Sequence, residues 1–176
     1  NVIGGGDWAT DRIVPDCIRA FIRNETVILR NPHSTRPWQH VLEPLSGYMT
    51  LAEKLFLDGK TFADAWNFGP DEADCIPVQH LVEILSKSWG PDARFECKGD
   101  QGPHEATFLK LDHSKAVARL GWRPRLRVDT AISMTADWYR IVDTGKNAQR
   151  ECLKQIETFE NVKQIHSGDS AMGNEN

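Results

Sequence analysis

The stretch Arg36-Pro37-Trp38-Gln39-His40-Val41-Leu42-Glu43-Pro44 decides the fold class. Trp38–Val41 reads as a short strand. It runs directly into a helix from about Glu43 to Leu57, stopped by Asp58-Gly59. Pro44 falls in the first turn of that helix, where no backbone N–H is needed. Upstream, Asn31–Arg36 is a polar loop that follows a β-branched strand, Thr26–Leu29.

Working outward, Asn1–Ile3 has the character of a strand end and Gly4–Gly6 of a turn. Ile13–Arg23 is an amphipathic helix with Pro15 in its first turn. Downstream, Ala65–Phe68 reads as a strand stopped by Gly69-Pro70, and Asp71–Ile76 as a polar loop. Pro77–Trp89 is a helix with Val78, Leu81, Val82 and Leu85 on one stripe. Arg94–Cys97 has the pattern of an edge strand, Lys98–Ala106 of a loop, and Thr107–Leu111 of a short extended piece. Asp112 caps a helix that ends at Leu120 and is closed by Gly121. Val128–Asp143 is a longer helix with Asp129 as its expected cap, and Asn147–Val162 is a further candidate helix. The elements alternate irregularly, which gives an α/β chain of small pieces and not a complete doubly wound sheet.

Composition narrows the class. The 176 residues are 40% hydrophobic and 26% charged, as in an ordinary globular domain. A net charge of -4 argues against a general nucleic-acid binder. No apolar run approaches the about 20 residues that span a bilayer. Cys17, Cys75, Cys97 and Cys152 are far apart and lack metal-ligand spacing, so free thiols in a reducing cytoplasm are expected. Asp71, Glu72 and Asp74 form an acidic run, read as a solvated loop and not a metal site.

Gly4-Gly5-Gly6-Asp7-Trp8-Ala9 formally matches the G-x-G-x-x-A dinucleotide fingerprint. The chemistry opposes it. Asp7 would set a carboxylate beside a pyrophosphate, and Pro15 delays the helix whose N-terminus should face that anion. A turn at a pocket rim is the expectation.

Four stretches carry a family resemblance. Asn1-Val2-Ile3-Gly4, Thr35-Arg36-Pro37-Trp38-Gln39-His40-Val41, Ala65-Trp66-Asn67-Phe68-Gly69, and Asp112-His113-Ser114-Lys115 with Leu120-Gly121-Trp122-Arg123-Pro124 occur in order. They resemble the substrate lobe of the extended short-chain dehydrogenases acting on nucleotide sugars. Gly4–Trp8, Arg36–Pro44, Trp66–Pro70 and Pro103-His104-Glu105-Ala106 are similar to the CDP-glucose 4,6-dehydratase branch.

The resemblance implies an α/β fold forming the C-terminal, substrate-binding portion of such an enzyme over residues 1–145. A possible helix follows over 146–166, then a polar tail over 167–176 expected to be disordered. It implies CDP-glucose as substrate and NAD as cofactor, with NAD held mainly by an N-terminal lobe. The catalytic residues are expected upstream of Asn1, no metal is expected, and the full enzyme is expected to be a cytoplasmic homo-oligomer. In the family reaction a hydride leaves C4 of the hexose, water is lost across C5–C6, and the hydride returns to C6. Other readings are a nucleotide-sugar epimerase of the same superfamily and a non-catalytic sugar-nucleotide binding module.

By the same resemblance, Arg36 would hold the diphosphate, since a guanidinium forks two phosphate oxygens. A surface salt bridge is the competing role. The Asn1 amide would meet the phosphates or cap the strand end. Arg12 and Ile13 lie where the helix entrance approaches the nucleotide, and Arg12 is equally compatible with solvent. Leu29 and Arg30 would flank the base, with Leu29–Arg30 backbone groups reading its edge. His104 would contact ribose or phosphate, while Gln101 stands where other branches carry a phosphate-binding arginine. Phe108 and Lys110 are candidates to line the pocket. His40 is expected to be packed or hydrogen-bonded and not a general base, Asn67 to satisfy backbone groups, and Trp8 and Trp38 either to wall the pocket or to fill the core.

Overall fold

Among the described residues, the strands form three separate two-stranded sheets. The computed structural model describes residues 1–98 and 108–162. The Pro103–Ala106 motif with His104, Gln101 and the 167–176 tail therefore lie outside the described residues. In chain order the elements are β1 (Val2–Ile3), α1 (Ile13–Ile22), β2 (Thr26–Leu29), β3 (Thr35–Pro37), β4 (Gln39–His40) and α2 (Leu42–Asp58). Then come β5 (Cys75–Pro77), α3 (Val78–Trp89), β6 (Arg94–Cys97), α4 (Ser114–Leu120), α5 (Val128–Asp143) and α6 (Ala148–Asn161). β1 pairs parallel with β4, β2 parallel with β6, and β3 antiparallel with β5.

The helices follow the apolar periodicity. On α3, Leu81, Val82 and Leu85 are fully buried and face α5, which answers with Ile132, Ala136 and Tyr139. α1 adds Val14, Ile18 and Phe21 to the same core, and β2 adds Val27 and Leu29. Each Val, Leu, Ile or Phe side chain among them contributes about 1.5–3 kcal/mol when withdrawn from water. A second cluster joins Phe68, Ala116, Leu120 and Trp122, with Trp66 and Phe62 against it.

Several expectations are corrected. The strand expected over Trp38–Val41 is shortened to β4, and Trp38 separates it from β3. Pro37 has no N–H for a ladder, and the buried Trp38 indole donates to the Ile76 carbonyl at 3.1 Å. The polar loops 31–36 and 71–76 each end early because Thr35 and Arg36 pair with Pro77 and Ile76. Residues 65–68 form no strand. The Phe68 carbonyl instead accepts from the Gln39 amide at 2.8 Å, and Asn67 donates to the Asp112 carbonyl at 3.2 Å. The extended piece at 107–111 is reduced to one bridge between Phe108 and Thr35 among the described residues.

Two helix starts also differ. His113, not Asp112, is the N-cap of α4, while Asp112 accepts from the Ser114 N–H at 2.8 Å. Asp129 lies inside the first turn of α5, whose N-cap is Arg127. The Val128 N–H is met by Asp74, which is 1% exposed and not solvated as its acidic run suggested. Glu43, also 1% exposed, accepts from the N–H groups of Arg125 and Leu126 at 2.8 and 2.7 Å. Buried carboxylates thus fix both the approach to α5 and its first residue.

α2 is the exception to amphipathic order. Leu45, Tyr48, Met49 and Phe56 fall on one side at helical spacing and are exposed, Phe56 by 89%.

Candidate functional site

A cavity of about 550 Å³ opens where β1, the turn after it, the start of α1 and β3 meet. Asn1, Arg12, Ile13 and Arg36 all line it, together with Asp7, Asp11 and Trp38. The fold brings them together simply. Parallel pairing of β1 with β4 sets Asn1 beside Pro37, and the Gln39 N–H donates to the Asn1 carbonyl at 2.9 Å. β3 carries Arg36 in from the other side. Pro15 sits in the first turn of α1 and closes the wall near Ile13.

Arg36 is 7% exposed. Its Nη1 donates to the Thr35 carbonyl at 2.9 Å, which holds the guanidinium close to its own strand. Arg12 is exposed at the N-cap of α1 and pairs with Asp7 at 3.0 Å. The Ala9 N–H, then Arg12, lowers the Asp7 carboxyl below its ordinary value, so Asp7 stays ionised. The lining therefore holds two guanidinium groups and two acidic side chains. Asp7 entered the sequence reading only as an obstacle to dinucleotide binding. Asp11 was missed. Its φ of 60° is in the left-handed region, which a sequence does not announce for aspartate.

Leu29 and Arg30 are not among the lining residues. The Leu29 side chain is buried in the main core, and its carbonyl accepts from the Lys98 N–H at 3.1 Å. Arg30 is exposed at the end of β2. Trp38 both lines the cavity and belongs to the core. Trp8 stands edge-on to Tyr139 with centroids 5.0 Å apart. His40 is buried, its Nδ1 accepts from the Leu42 N–H at 3.4 Å, and burial pulls its pKa down to about 4. It is neutral near pH 7 and packed outside the cavity lining.

The chain is 49% identical over 147 residues to CDP-glucose 4,6-dehydratase of Salmonella typhimurium (strain LT2), across 84% of this chain and 41% of that protein. The chain is a homologue of part of CDP-glucose 4,6-dehydratase. It spans about two fifths of the length of that curated relative, 41%. Its structure is similar to a mutant UDP-glucuronic acid 4-epimerase from Bacillus cereus in complex with UDP-4-deoxy-4-fluoro-glucuronic acid and NAD. The TM-score is 0.66 at 17% identity, covering 81% of this chain and 43% of that one. A UDP-galactose 4-epimerase gives a TM-score of 0.61 at 21% identity, over 82% of this chain and 43% of that one. The fold is therefore that of part of an extended short-chain dehydrogenase. No family model matches the chain.

The glycine turn does not fit a dinucleotide. A Cβ on Gly5 would fall inside the Trp138 ring, so the space left by the missing side chain is filled by protein. α1 begins at Ile13 and not directly after Gly6, where the fingerprint would need the helix to start. Gly5 and Gly6 let Trp138 of α5 pack closely on the turn. Among the described residues, no group of three or more His, Cys, Asp or Glu is placed to hold a metal ion. No described helix is long and apolar enough to cross a membrane.

Proposed function

We propose that the cavity binds the diphosphate region of CDP-glucose, and that the chain is the substrate-holding portion of a CDP-glucose 4,6-dehydratase. One observation carries this. Asn1, Arg12, Ile13 and Arg36, which family resemblance marks for the sugar nucleotide, converge on a single cavity. The 49% identity to the Salmonella enzyme supports the choice of substrate.

The chemistry suits a diphosphate. Arg36 supplies a buried guanidinium with a fork of donors, and bonds to charged oxygens strengthen away from bulk water. Arg12 adds a second guanidinium at the exposed side. The Asn1 amide adds a donor without charge. Ile13 and Trp38 give apolar wall that limits the water competing for those donors. Conversion to CDP-4-keto-6-deoxyglucose, with NAD, is a property we assign to the complete enzyme and not to residues of this cavity. The four free cysteines support a reducing cytoplasm as its location.

Calorimetry of CDP and CDP-glucose with the chain tests the reading. Arg36→Ala is expected to weaken binding by about 1.5–3 kcal/mol, the range for hydrogen bonds to charged groups. Arg36→Lys should recover part, because the fork is lost. Equal affinity in wild type and both variants would remove Arg36 from the site.

A further inference from the structure

We infer that Tyr139 and Arg19, neither of which lines the cavity, are positioning residues that fix the turn at 7–9 so that Asp7 holds Arg12 in place; this rests on the diphosphate reading above. Tyr139 is on α5 with its ring buried. Its hydroxyl donates to the Asp7 carbonyl at 2.5 Å, and Trp8 packs edge-on against its ring. From α1, Arg19 donates to the Trp8 and Ala9 carbonyls at 2.9 and 3.1 Å. Three successive carbonyls of an irregular segment are thereby tied to two helices.

The side chain of Asp7 completes the device. One oxygen accepts from the Ala9 N–H at 3.0 Å, and the other meets Arg12 Nη1 at 3.0 Å. A guanidinium carries five donors, so one bond to Asp7 leaves others to meet an anion. Arg12 is exposed and on a flexible stem, and its ordering would otherwise be charged against ligand binding. Fixing it beforehand cuts that cost. Burial raises the Tyr139 hydroxyl to about 12, so it remains a donor throughout the working pH range.

The test is a mutant cycle read by calorimetry with CDP as the probe. Tyr139→Phe and Arg19→Gln are each expected to weaken CDP binding about fivefold, the scale of one net hydrogen bond. In an Arg12→Ala background both should have no further effect, because they act through Arg12. A merely structural role would weaken binding equally in either background, and that outcome overturns the inference. So does unchanged affinity in both single variants while Arg36→Ala still weakens binding. If Tyr139→Phe fails to fold by circular dichroism, Arg19→Gln decides alone. Absence of any saturable CDP binding by the wild-type chain overturns the diphosphate reading and this inference with it.

Discussion

One oxygen of Asp74 accepts a hydrogen bond from the Val128 main-chain N–H at 3.0 Å, across 54 residues of sequence. A carboxylate from the short turn before β5 thus does for α5 what a local N-cap would do. Its other oxygen lies 3.3 Å from Arg127, which is half-exposed and contributes little. Asp74→Ala is expected to lower stability by about 1–3 kcal/mol, the cost of a buried donor left unmet. Asp74→Asn keeps an acceptor and should lose less. Chemical denaturation of the two variants checks the order; equal losses would mean that the ion pair matters more than the cap.

Glu43 gives a pH signature. Burial raises its pKa from 4.5 to about 7, against the opposing N–H bonds of Leu126 and Arg125. The folded state therefore binds the proton more tightly than the unfolded chain. The associated stability is fully present below pH 4.5 and is lost as pH rises through about 7. Its size is on the order of 3 kcal/mol by linkage. Glu43→Gln removes this titration, so the variant should gain relative to wild type between pH 5 and pH 8. A stability difference independent of pH would contradict the buried-carboxylate account.

Gly5 and Trp138 predict a packing conflict. Gly5→Ala places a methyl group inside the indole ring and should cost about 1–3 kcal/mol or more, as overpacking does. Trimming the ring with Trp138→Leu should recover part of that loss in the double variant. Denaturant midpoints for the two singles and the double measure the coupling, and strictly additive losses would refute it.

The same contact bears on cofactor binding. With Trp138 against the glycine turn, NAD at about millimolar concentration should produce no saturable rise in Tm, since only a ligand of the native state stabilises it by mass action. A saturable rise would reinstate Gly4–Ala9 as a nucleotide loop.

The exposed side of α2 governs behaviour in solution. Tyr48, Met49 and Phe56 together form an apolar strip of the kind that drives association. Phe56→Glu with Met49→Lys should reduce concentration-dependent light scattering and change Tm little, because surface substitutions usually stay within about 0.5 kcal/mol. A marked fall in Tm would show that these side chains pack in the folded chain.

The helices were legible because their apolar spacing is local: Leu81, Val82 and Leu85 declare α3 without reference to anything else. The end of α4 was legible in Gly121, whose φ of 68° suits glycine. What sequence could not give were partners set by tertiary contact. Glu43 and Leu126 are 83 residues apart, and Asp74 sits in a run that looks solvated. Phe68 has strand-like neighbours, yet its carbonyl is taken by a glutamine side chain and no ladder forms. Of the candidate site, Asn1, Arg12, Ile13 and Arg36 were recovered through family-like motifs, not through periodicity. Asp11 had no signal, because a backbone angle decides its place.

The division of the strands into three pairs has a kinetic consequence. Among the described residues each strand is hydrogen-bonded to one other within its sheet, whereas α3 and α5 press fully buried faces together. Local opening should begin at the strand pairs, and amide exchange should be slowest along α3 and α5. The proposed ligand cavity is walled by β1 and β3, so it is built from the faster-exchanging part of the molecule. Slowed deuterium uptake at Gln39 and Val41, whose N–H groups donate to the Asn1 and Ile3 carbonyls, would then be a sensitive reporter of occupancy.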